Sequence, residues 1–135
     1  MDINLHQCFL AVDDHEAALG FYRDALGFEV RKDVDFGGMR WVTLGSPAQP
    51  DVEIVLEPPL ADPNATDEDR EAVTGLLAKG LLRGVNLRTA DVDAAFEKVR
   101  ATGADVLQEP VDQPYGVRDC AFRDPAGNMI RIAQA

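Results

Sequence analysis

The chain has 135 residues, 46% of them hydrophobic and 27% charged, the composition of one globular domain (1–135) large enough for a core and a pocket. Its net charge of -11 repels phosphate backbones and anionic lipid surfaces, so neither nucleic acid nor a membrane is expected as a partner. No apolar run approaches the roughly 20 residues of a membrane span, and acidic Asp2 follows Met1 where a signal peptide would be basic, so a cytoplasmic location is expected.

In chain order, "QCFLAVDD" (7–14) reads as a strand, and Asp14 then caps a helix whose apolar positions are Ala18, Phe21, Tyr22 and Ala25. Gly27 stops that helix, and strands follow, among them "GMRWVTLGSP" (38–47) and "VEIVLEP" (52–58). Residues 59–83 form a join, in which two prolines end the preceding strand and Thr66 caps a short acidic helix that finishes at Gly80. This helix is open to three roles: linker, lid or dimer contact. The strand "GVNLRTAD" (84–91) comes next, then a helix capped by Asp91 with Val92, Ala95, Phe96 and Val99 on one face, stopping at Gly103. "GVRDCAFRDP" (116–125) and "NMIRIAQ" (128–134) are the closing strands, with Asp-Pro-Ala-Gly as a tight turn between them. Cys8 and Cys120 are too few for a disulfide framework and read as small buried hydrophobes.

The second half echoes the first at an offset of about 77 residues, and Arg40 and Arg118 hold the same place in the two "Gly-x-Arg" segments. Each half is expected to be a βαβββ module, 1–58 and 84–135, in an α+β fold. Each helix covers one face of its sheet, and the opposite faces, related by a pseudo-two-fold axis, are expected to enclose a cleft.

The repeat, with "VDDHEAALGFYRDALGFEV" in the first half and "RDPAGNMIRI" in the second, resembles the vicinal oxygen chelate superfamily over essentially the whole chain. Glyoxalase I, methylmalonyl-CoA epimerase, extradiol dioxygenases, fosfomycin-resistance enzymes and the bleomycin-resistance binding proteins belong to that superfamily. It hosts several chemistries, and some of its members only bind. The "GMRWVTLGSPAQPDVEIVLEPP" and "QEPVDQPYGVRDCAFRDPAGN" stretches are most similar to a glyoxalase/bleomycin-resistance-like subgroup with no assigned activity.

The resemblance implies four metal-ligand positions, one per strand, and each can be located by its spacing. The first, seven residues before Asp14, is Gln7, an acceptable but weak neutral ligand or else a plain pocket or edge glutamine. For the second, Glu53 is a candidate beside Glu57, although the repeat places Val55 rather than Glu53 opposite Arg131. The third, seven residues before Asp91, is Gly84, which offers no side chain, and Asn86 would be a poor substitute. The fourth, seven residues after Asp124, is Arg131, whose guanidinium has no lone pair to give. The only histidines are His6, which alternates away from Gln7, and His15, expected to be solvated at a helix start, so a 2-His-1-carboxylate iron site is not expected either. Neither metal nor cofactor is expected.

Period-two alternation gives a candidate cleft lining of Gln7, Phe9, Trp41, Thr43, Glu53, Val55, Asn86, Arg88, Asp119, Met129 and Arg131, the apolar-aromatic mix of a small-molecule site. Trp41 has two readings, ligand platform or plain core, and Arg131 two more, anion binder or partner of Glu53 or Asp119 in an internal ion pair. Two functions of different classes follow. One is a metal-free small-molecule binder that sequesters or carries an apolar or carboxylate-bearing compound, as bleomycin-resistance proteins do. The other is a metal-dependent lyase, isomerase or dioxygenase with an altered ligand set. Whether any reaction is catalysed is left open. The resemblance also implies a homodimer.

Overall fold

A computed structural model describes all residues 1–135. The elements run β1 (Gln7–Ala11), α1 (His15–Leu19), a π-helical continuation (Gly20–Ala25), β2 (Glu29–Phe36), β3 (Met39–Gly45), β4 (Glu53–Glu57), α2 (Asp67–Ala78), β5 (Val85–Thr89), α3 (Val92–Arg100), β6 (Asp105–Asp112), β7 (Arg118–Arg123) and β8 (Met129–Gln134). The strands form two four-stranded mixed sheets, ordered β1-β4-β3-β2 and β5-β8-β7-β6. In each, the first and last strands of the module pair in parallel and the remaining pairs are antiparallel. This is the α+β architecture expected from the repeat. The chain divides into two compact units, Met1–Thr74 and Gly75–Ala135.

In the first unit, Leu10, Val42, Leu44, Ile54 and Leu56 form the apolar face of the sheet, and Ala18, Leu19, Tyr22 and Ala25 of the helix are buried with them. Asp14 Oδ1 accepts from Ala17 N at 3.1 Å and so caps α1. The later turns widen: Leu26 N donates to Phe21 O at 3.0 Å, an i to i-5 bond, before Gly27 turns the chain at a φ of 78°. In the second unit the same role falls to α3. Asp91 caps it through Ala94 N at 3.1 Å, and Phe96 stacks on Phe122 of β7 with ring centroids 5.4 Å apart.

The repeated Gly-x-Arg has a mechanical explanation. Arg40 of β3 grips Asp33 of β2 with two bonds (3.0 and 2.7 Å) and reaches Glu16 in the first turn of α1 at 2.7 Å. Arg118 of β7 grips Asp93 in the first turn of α3 with two bonds (3.0 and 2.7 Å) and reaches Asp112 of β6 at 3.4 Å. Each arginine thus ties a hairpin to the start of its module's helix.

Thr66 and Asp69 reciprocally cap α2, each side chain accepting from the other's backbone N–H (3.1 and 2.9 Å). At the far end Leu81 N bonds back to Leu76 O and Gly80 turns the chain at a φ of 71°. The Asp-Pro-Ala-Gly turn is organised by the buried Asp124 carboxylate, whose Oδ1 accepts from the backbone of Ala126, Gly127 and Asn128 at 2.8 to 3.0 Å.

Two expectations need correction. His15 is not solvated: it is half-buried, and its Nε2 bonds to Leu56 O at 3.2 Å. Cys120 is fully buried, but Cys8 is only half-buried, because β1 is an edge strand and its side chains are less covered. Burial raises both thiols, that of Cys120 to about 11.

Candidate functional site

The face of each sheet turned away from its helix carries the candidate residues, because strand register fixes which side chains share it. In the first unit Gln7 pairs with Glu53, Phe9 with Val55, and Thr43 with Val55. Gln7, Phe9, Trp41, Thr43, Glu53, Val55 and Glu57 therefore point the same way. Gln7 Nε2 donates to Glu53 Oε1 at 2.8 Å, while Arg31 Nη1 lies 3.5 Å from Glu53 Oε2 and His6 Nε2 3.6 Å from Oε1. The Gln7 bond, and then the Arg31 guanidinium, hold the Glu53 carboxyl below the usual range. Arg31 also bonds the carbonyls of Ser46, Gln49 and Val52 at 2.9 to 3.2 Å, closing the loop before β4.

Further along this face, burial pushes the Glu57 carboxyl up, with the nearby Trp41 indole opposing the shift in part. Thr43 and Val55 are buried, and Phe9 is 58% exposed. Trp41 forms part of the wall of a cavity of about 350 Å³ with Phe36 and Met39 of the β2–β3 hairpin, and Ala61, Pro63 and Arg70 from the segment after β4. Sequence reasoning placed only Trp41 here. Strand alternation from Trp41 to Met39 would have given one more. Phe36 and Gly37 belong to the same hairpin, and Ala61, Asp62, Pro63 and Arg70 lie in the stretch read as a join.

In the second unit β8 sits between β5 and β7, and Arg131 pairs with Asn86 on one side and Ala121 on the other. Its Nη1 donates to Gln108 Oε1 at 3.1 Å and lies 3.3 Å from Asp119 Oδ1; its Nη2 is 3.9 Å from Met129 Sδ. Asp119 is 2% exposed, and its Oδ1 also accepts from Gln108 Nε2 and Gln113 Nε2, each at 2.9 Å. Burial alone would push this carboxyl up. The two glutamine bonds and the Arg131 charge outweigh burial and hold it below its ordinary value. Asn86 and Arg88 are exposed on β5. The second unit thus brings Arg131, Asp119 and Met129 together with Gln108 and Gln113, which sequence reasoning missed.

The family's metal-ligand positions do not fit a metal. A Cβ added at Gly84 would collide with the Met129 carbonyl of the neighbouring strand. Arg131 can only donate and is already engaged by Asp119 and Gln108. Glu53, beside Gln7, is the register counterpart of Met129 rather than of Arg131, whose counterpart is the apolar Val55. No three His, Cys, Asp or Glu side chains converge into a group able to hold a metal ion. No helix is long and apolar enough to cross a membrane.

Residues 4–132 match the family model of the Glyoxalase/Bleomycin resistance protein/Dioxygenase superfamily. The chain is 32% identical over 124 residues to the uncharacterized protein YurT of Bacillus subtilis (strain 168), covering 91% of this chain and 92% of that one. Its fold matches the crystal structure of UcmS2 with a TM-score of 0.89 at 33% identity, over 100% of both chains. It also matches TnmS3, an antibiotic binding protein from Streptomyces sp. CB03234, with a TM-score of 0.75 at 28% identity, over 98% of this chain and 96% of that one.

Proposed function

The chain belongs to the Glyoxalase/Bleomycin resistance protein/Dioxygenase superfamily, and from that premise we propose that it is a metal-free small-molecule-binding protein, sequestering or carrying an apolar or carboxylate-bearing compound. The observation that carries this reading is the state of the ligand positions: the Gly84 position is closed by the Met129 carbonyl, and the Arg131 position holds a cation paired with Asp119. The likeness to TnmS3, described as an antibiotic binding protein, supports it. A cytoplasmic location and a homodimeric state accompany this reading.

The test joins a thermal-shift screen of aromatic natural products and carboxylates to elemental analysis of the purified protein for Zn, Ni, Mn and Fe. At a hundredfold excess over Kd, a true ligand is expected to raise Tm by roughly 5–10 °C. Metal is expected well below one ion per chain. Stoichiometric metal, or a screen in which no compound stabilises the protein, would overturn the reading.

A further inference from the structure

The cavity beside Trp41 is built within the first unit and contains none of the family's metal positions. We propose that it is a binding site for a planar aromatic compound carrying an anionic group, with Trp41 as the stacking surface and Arg70 as the partner of the anion. This rests on the small-molecule-binding reading above and adds to it a place and a ligand class.

Four observations carry it. The volume, about 350 Å³, lies within the range of small-molecule sites. The walls are mostly apolar and available: Phe36 is 77% exposed, and Met39 and Pro63 are exposed beside it, with Asp62 and Arg70 as the polar members. Trp41 is held in place by β3, where it pairs with Val34 of β2.

The opposite wall is preset as well. Leu60 takes a left-handed φ of 51°, which L-leucine seldom adopts, and Asp62 N bonds back to Leu60 O at 2.8 Å. The Asp62 carboxylate then accepts from Asn64 N at 2.8 Å, which holds it in a local turn. Arg70 is the cation of the wall. Its guanidinium spends one donor on the Asp62 carbonyl at 3.1 Å and one on Asp67 at 3.4 Å, and the Asp67 carboxylate is fully exposed. Of five donors, the remainder are not used in these bonds. A guanidinium so placed suits a carboxylate or phenolate on an aromatic ring, whose face would lie on the indole.

Trp41 is the only tryptophan, so its fluorescence reports on this wall alone. The protein would be titrated with 2-naphthoate, acridine-9-carboxylate and anthraquinone-2-carboxylate, each beside its neutral amide, in parallel with thermal melts. At least one carboxylate is expected to quench Trp41 saturably. Arg70→Ala should raise the Kd of that carboxylate about tenfold or more and leave the Kd of the amide within about twofold. Arg70→Lys should recover part of the loss, and a melt of each variant reads its fold independently. Equal weakening of acid and amide, or no saturable quenching by any of the three pairs, overturns the site. If screened compounds stabilise the protein while Trp41 emission stays unchanged, the site falls and the binding function stands. If nothing stabilises it, the binding function itself falls.

Discussion

At Gly84 a backbone carbonyl decides what chemistry is possible. Any side chain there must push aside Met129 O, and so part the start of β5 from β8. Gly84→Ala is expected to lose on the order of 2 kcal/mol or more by urea denaturation, and Gly84→His should gain no stoichiometric zinc by elemental analysis. Arg131 is the second decisive residue. Arg131→Ala would leave the nearly inaccessible Asp119 carboxylate without its cation, and about 2–3 kcal/mol should be lost at pH 7. The sign of the pH dependence follows from a carboxyl held below its ordinary value of 3.8. In the wild type this stabilisation is fully present above 3.8 and lost as pH falls through the folded-state value, so the gap between wild type and variant should narrow in acid. Denaturation series at pH 7 and pH 3 would show it; a constant gap would mean Asp119 is not the source. The direction of Arg131 was legible because alternation along β8 is regular. Gln108 was not, because β6 carries register shifts on either side of it and a bulge defeats a period-two count, and Gln113 was not, because it lies past the end of β6.

Among the elements, helix starts were the most legible, since Asp14 and Asp91 are capping residues at the head of apolar periodicities and Thr66 caps an acidic first turn. Asp14→Ala and Asp91→Ala are each expected to cost about 1 kcal/mol. The π-helical stretch after Leu19 had no sequence signal, because its wider bonds depend on how the helix seats against the sheet. The segment from Leu60 to Ala65 was unreadable for a related reason: no propensity rule puts leucine in the left-handed region. That is why the part of the cavity wall made by Ala61, Asp62 and Pro63 went unforeseen. The arginine tethers explain why the Gly-x-Arg recurs. Arg40→Ala and Arg118→Ala should each lower stability slightly in low salt, and less in 1 M NaCl as these partly exposed ion pairs are screened. Equal losses at both salt concentrations would point to packing instead.

For the whole molecule, the repeat is the organising fact. Each half pairs its first and last strands in parallel, leaving β1 and β2, and again β5 and β6, as outer strands of their sheets. Outer strands and exposed apolar side chains such as Phe9 on β1 are surfaces that self-association covers. We therefore expect a homodimer. Native mass spectrometry at micromolar concentration should show twice the 14.7 kDa chain, and the single-chain mass alone would contradict this.

The two cysteines fall one to a half, Cys8 on β1 and Cys120 on β7, and this turns the repeat into something that can be timed. The Cys120 thiol is inaccessible and titrates near 11, so an alkylating reagent at neutral pH can reach it only when the second sheet opens. Cys8, half covered at an edge, needs only a local parting of the first. Pulse labelling with peptide-resolved mass analysis would give the opening rate of each half from one sample, with Cys8 marked first. Identical rates would mean that the two halves come apart as one cooperative unit.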